Sequence, residues 1–167
     1  LEDYYNKLFD KALSEEYIRP SLYILIINSS LIRSIISFLK RELEKWYKMV
    51  NDLDKIRVVY NHNNLSIDHF INNKFISWDK YLVDSPVIDI INLYKNDFNK
   101  YDFSLFLNEY FKHFELLDYE KTLLFIMISM PKTYDFGNNE LDNTIMVSKS
   151  ISYIEYTNKL IRPYYSK

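Results

Sequence analysis

The spacing of apolar and polar positions divides the chain into helical flanks around a short stretch with β-like character. A first helix is expected over residues 3 to about 17, halted ahead of Pro20, whose ring and missing N–H do not continue a helix. A longer helix is expected from residue 21 toward 51. Its second half sets Leu39, Leu43, Trp46 and Val50 at helical intervals, with Lys40, Arg41, Glu42, Glu44, Lys45 and Lys48 on the other faces. That pattern predicts an apolar stripe in the core and a charged face in water.

At Asp52 the pattern changes. Residues 56–60 read as a short strand, a polar loop follows, and residues 69–71 and 74–78 read as hairpin arms turning at Asn72 and Asn73. Helices then resume. Ser85 and Pro86 read as N-cap and first helical position of a helix over 87 to about 94. Asp102 or Ser104 opens another through 114, and Asp118 opens one through 130 that Pro131 ends. Asn139 opens the last, which is expected to stop near 161, ahead of Pro163. There is no internal repeat and no long linker. The expected fold is mainly α, one domain over residues 1–167, with helices around a small β-hairpin element that carries a polar loop.

Composition narrows the function classes. With 48% hydrophobic residues, 16 Tyr, 11 Phe and 2 Trp, the chain has ample material for a core. A net charge of −2, with both signs interspersed, gives no basic face for nucleic acid. The absence of cysteine excludes disulfides, thiolate nucleophiles and Cys-ligated zinc, and it fits a reducing cytoplasm. The single glycine, Gly137, leaves no material for a Gly-rich phosphate loop. The abundance of Asn, Ile, Lys and Tyr reads as compositional drift. The nearest approach to a membrane span, residues 22–39, is interrupted by Asn28, Arg33 and four serines. An arginine there would cost roughly 2.5 kcal/mol in lipid, so a buried helix is expected and no membrane partner.

The candidate chemistry lies in residues 60–71, YNHNNLSIDHFI, which hold two of the three histidines. His62 and His69 with Asp68 do not form a standard zinc pattern, because His-x6-His spacing is wrong for one and a third ligand is not evident. The expected role of His62 is to hydrogen-bond local backbone and hold the loop. His113 reads as a surface or boundary residue of its helix.

Beyond the loop, Ile76, Asp79, Asp84, Pro86 and Asp89 recur at the intervals of a segment reading approximately Ile-Asp-Phe-Asp, then Asp-x-Pro-x-x-Asp. This segment resembles the one that follows the catalytic loop in aminoglycoside phosphotransferase-like enzymes, and is most similar to their spore-coat CotS-like branch. The resemblance implies the helical C-terminal lobe of a protein-kinase-like fold, with the best motifs confined to residues 58–94. In that family a nucleotide lobe precedes this one, and here it is either outside the given chain or lost; the chain begins with Leu1 rather than Met and is expected to be a piece of something longer.

The same resemblance assigns positions. The family's loop is His-x-Asp followed five residues later by Asn, where the Asp is the base and the Asn helps hold magnesium. Here the histidine is His62, the base position is Asn64 and the metal position is His69. The strand-end metal ligand of the family falls on Ser77. An amide cannot take a proton at neutral pH, and losing such a base costs roughly 10²- to 10⁴-fold in rate. Magnesium prefers hard, charged oxygen ligands, which His69 and Ser77 do not supply. Asp79 and Asp68 are the possible replacements, Asp79 because in a strand it shares a face with Ser77. Asp89 is expected to brace the loop through backbone amides. These departures favour a degenerate phosphotransferase that binds an unidentified protein or small molecule and needs no cofactor. The alternative is an active small-molecule phosphotransferase of aminoglycoside or choline type, using ATP and magnesium held by Asp79. A structural module of a spore or envelope assembly is a third reading, on family analogy alone.

Overall fold

The computed structural model describes residues 1–165. The chain is mainly helical and divides into two compact units, Leu1–Arg41 with Ser129–Lys167, and Glu42–Ile128.

The first unit contains α1 (Glu2–Ser14), α2 (Pro20–Ile27), the first half of α3 (Ser29–Val50) and α7 (Glu140–Tyr165). α2 packs on both α1 and α7, burying Leu22 and Leu25, with Phe9, Ala12, Val147 and Ile154 also in the core. Polar groups fix the ends. Glu140, in the first turn of α7, accepts the Ser21 N–H at 2.8 Å, satisfying a donor that the start of α2 leaves without an intrahelical partner. Tyr5, fully buried, donates its hydroxyl to the Lys132 carbonyl at 2.6 Å, and burial holds its phenol far above the ordinary range.

Three helix boundaries differ from the sequence expectation. α1 stops at Ser14 rather than near residue 17, because Glu15 turns to extended backbone and is held by a two-pronged pair with Arg19. The expected single helix from 21 to 51 is two, meeting at 60° at Asn28. There the Asn28 side chain donates to the Ile24 carbonyl at 2.9 Å, competing with the helical ladder. Among the described residues no single helix is long and apolar enough to cross a membrane. α7, finally, runs through Pro163 to Tyr165. The lost N–H falls in the final turn, Leu160 and Ile161 are buried, and Tyr165 meets Phe38 edge-on at 5.0 Å.

The buried seam of α3 follows Ile32, Ile35, Ile36, Leu39 and Glu42, the last only 2% exposed and paired with Lys45 at 2.9 Å. Leu43, expected in the core, is 52% exposed, while Trp46 and Val50 are half-buried. A carboxylate carries the seam onward where an apolar neighbour was available.

Besides the second half of α3, the second unit holds two small antiparallel ribbons and, among the described residues, three further helices. β1 (Val59–Asn61) pairs with β4 (Leu82–Asp84), Tyr60 opposite Val83. β2 (Phe70–Ile71) pairs with β3 (Lys74–Phe75), Phe70 opposite Phe75. Short 3-10 turns, Ile67–His69 and Trp78–Lys80, flank the second ribbon. β4 has no counterpart in the sequence reading, and the first strand starts at Val59 instead of 56. Asn72 and Asn73, at φ of 49° and 60°, make the turn with both central residues left-handed. Asn73→Gly, which removes the side-chain penalty at that φ, should raise stability by roughly 0.5 kcal/mol in urea titrations.

α4 is Ile88–Asp97, α5 Phe103–His113 and α6 Asp118–Ser129. Asp102 caps α5, accepting the Ser104 N–H at 2.9 Å. Ser85 does not cap α4, which begins three residues after it with Val87 in the cap position. The Ser85 hydroxyl is buried, and its N–H goes to the Asp84 carboxylate at 2.6 Å. The core joins Ile90, Leu93 and Tyr94 of α4 to Phe103 and Leu107 of α5, with Tyr94 and Phe103 edge-on at 4.7 Å.

Candidate functional site

The loop between β1 and β2 is held from below by α4. Asp89, in the first turn of α4, accepts the N–H of His62 at 2.7 Å and of Asn63 at 2.8 Å, one on each carboxylate oxygen. Asn63 sits at φ 61°, which aims successive N–H groups at one acceptor. Eight residues on, the same helix presents Asp97, fully buried, whose Oδ2 accepts the Ile67 N–H at 2.8 Å. Asn96 donates to the Leu65 carbonyl at 3.1 Å. Two acids one helix face apart thus pin both ends of the loop. Asp97 went unnoticed in the sequence. Its signal is the i, i+8 spacing from Asp89 within the apolar run Ile90, Ile91, Leu93, Tyr94.

Inside the loop, Asn64 is gripped by its backbone. His62 is buried, and its Nε2 donates to the Ile76 carbonyl at 2.6 Å. Its Nδ1 accepts the Asn64 N–H at 3.3 Å. A carbonyl only accepts and an N–H only donates, which fixes this tautomer and occupies both ring nitrogens. His69 donates from Nδ1 to the Asn64 carbonyl at 2.7 Å, and the two imidazoles stack at 5.5 Å. Trp78 closes over His62 edge-on at 4.9 Å.

The remaining expected residues lie on the rim. Ser77 is exposed, at φ 65°, where the chain leaves β3. Asp79 is exposed in the 3-10 turn that follows. The strand geometry that would have set Asp79 beside Ser77 is therefore not realised, because a left-handed residue and a 3-10 turn replace the alternation of a strand. Asp68 points to Lys100, 3.1 Å away, which also pairs with Asp97 at 2.7 Å. His113 is surface-exposed and pairs with Glu109 at 3.0 Å. Among the described residues no three His, Asp or Glu side chains converge as a metal-holding group. Asn64, His69 and Ser77 supply an amide, an imidazole and a hydroxyl, a set that does not fit magnesium.

Burial opposes ionisation of Asp97, but Lys100, the Ile67 N–H and Ser66 together hold it below its ordinary 3.8. A depressed carboxylate contributes stability that is complete above its unfolded value and disappears as pH falls through the folded one. Acidification below about 3.8 should therefore erode the loop's anchorage. Asp97→Asn, followed by urea titrations from neutral pH downward, should remove part of that acid dependence. An unaltered pH profile would count against it.

Beside the braced loop is a cavity of about 650 Å³, bounded by the loop at Leu65–Ile67, the second ribbon, α4 and α5. Phe70, Phe75, Leu93, Phe106 and Tyr110 form much of its wall. Behind Tyr110, Arg57 forms a two-pronged ion pair with the fully buried Glu120 and lies 4.8 Å over the Phe114 ring. Burial raises the Tyr110 phenol's pKa; Arg57 counteracts this and Asp89 and Glu120 reinforce it.

Comparisons of the chain with protein-family models, with curated proteins and with solved structures return no match.

Proposed function

We propose that the chain is the helical lobe of a phosphotransferase-like protein of the aminoglycoside phosphotransferase type, catalytically inactive, acting in the cytoplasm by binding a protein or a small molecule. The observation that carries this reading is the contrast at one loop. Its shape is secured by two acids on α4 and two histidines. Its chemically decisive positions, Asn64, His69 and Ser77, hold neither a base nor a charged oxygen ligand. A scaffold maintained around neutral groups suits recognition better than turnover.

The test is phosphoryl transfer from Mg-ATP by the full-length protein to amino sugars, choline-like alcohols and sugars, with isothermal titration of Mg-ATP alongside. No transfer and no metal-dependent tight binding are expected. Turnover that Asp79→Asn abolishes and Asn64→Ala spares would instead establish the active enzyme.

A further inference from the structure

We infer that the cavity beside the 60s loop is a binding site for a neutral, apolar small molecule carrying one or more aromatic rings. The inference rests on the binding reading above and gives it a ligand class. A volume of about 650 Å³ lies within the roughly 300–1,000 Å³ range of small-molecule sites. Its walls are preformed. The loop side is pinned by Asp89 and Asp97, and the α5–α6 side by the Arg57–Glu120 pair.

Charge decides the ligand's character. The one ionisable carboxylate on the wall is Asp89, and each of its oxygens already accepts a loop N–H. The nearby Arg57 guanidinium is turned to Glu120 and the Glu115 carbonyl. No cation on the wall therefore meets a phosphate, and a polycationic amino sugar would find a single carboxylate already turned to two loop N–H groups. What the wall does offer is ring faces and edges. Phe70 and Phe75 stand 4.9 Å apart at the mouth, each 47% exposed, and Phe106 and Tyr110 lie across from α5. The two rings pair across the β2–β3 ribbon, yet each leaves about half of its surface open beside the apolar cavity, where a second ring can stack or meet an edge.

The probe is N-phenyl-1-naphthylamine, a neutral aromatic amine whose emission rises in apolar surroundings, titrated against the full chain. Saturable one-to-one enhancement is expected. The double variant Phe70→Ala/Phe75→Ala should weaken it about tenfold, since two ring contacts are removed at once. Both side chains are half-exposed, so circular dichroism should show the fold retained. Ile67→Trp, at a 48%-exposed position of the wall, which fills the cavity from the loop, should abolish the signal by a second route. Tyr17→Ala, at an exposed position of the other unit, should leave it unchanged. Absence of saturation, insensitivity to the double variant, or equal loss with Tyr17→Ala would overturn the assignment. Displacement of the probe by Mg-ATP would overturn the neutral-ligand class. Phosphoryl transfer is measured on the same samples. Probe binding by a sample that turns over supports the cavity assignment while refuting inactivity, and inactivity without probe binding does the reverse.

Discussion

Arg57→Ala is expected to lower the stability of the second unit by about 3 kcal/mol, the lower end of the range for breaking a buried ion pair from one side. Glu120 is fully buried and takes two guanidinium donors, Nε at 2.9 Å and Nη2, with the Leu117 N–H at 2.8 Å as its other close partner. Removing Arg57 leaves a carboxylate in the interior with one strong donor. Arg57 itself is 35% exposed, and solvent already screens part of the interaction, which is why the lower end applies. The Phe114 cation–π contact disappears as well. Replacing both partners together, as Arg57→Met/Glu120→Leu, should cost much less, since no buried charge is then left alone. Both tryptophans, Trp46 and Trp78, lie within Glu42–Ile128, so their fluorescence in urea reports on this unit directly. A loss below about 1 kcal/mol for Arg57→Ala would mean that water reaches Glu120 after all.

Elements announced by a local chemical device were legible in the sequence. The Asp102 cap, the stop at Pro131 and the Asn72-Asn73 turn each depend on a few adjacent residues, and each stands where its device places it. Elements decided by distant partners were not. Hydrophobicity runs unbroken through Asn28, so the bend made by one side-chain amide left no trace in the periodicity. Pro163 stops a helix only where packing does not hold the next turn, and Tyr165 on Phe38 supplies that hold. Leu43 and Glu42 exchanged expected places because a stripe can be drawn through either residue until its partners are known. The candidate site shows the same division. Asparagine that looked like compositional drift stands at three left-handed positions, Asn63, Asn72 and Asn73, in a chain with a single glycine. Asn and Gly are the residues that tolerate this conformation. The backbone grip of His62 and His69 on Asn64 depends on tautomers and ring placement, which spacing alone does not reveal.

Asp89→Ala should cost about 3 kcal/mol and release the loop while α4 stays folded. Two short hydrogen bonds to one carboxylate are lost at once, and bonds to a charged acceptor contribute about 1.5–3 kcal/mol each. They are not independent, since the first already orders the loop for the second, so the sum is an upper bound. Asp89→Asn keeps one acceptor oxygen and should retain about half of the stabilisation. Hydrogen exchange at the His62 and Asn63 amides should accelerate most, with Ile67 less affected because Asp97 still holds it. Trp78, against the His62 ring, should report the change as altered emission before unfolding. Asp79→Ala, at an exposed rim position, should stay within about 0.5 kcal/mol of the unaltered protein. Unchanged exchange at His62 in Asp89→Ala would show that the histidine pair alone holds the loop. A free loop with Ile67 still protected would show that the two acids act at separate ends, so that the wall of the cavity at Leu65–Ile67 survives the loss of its neighbour.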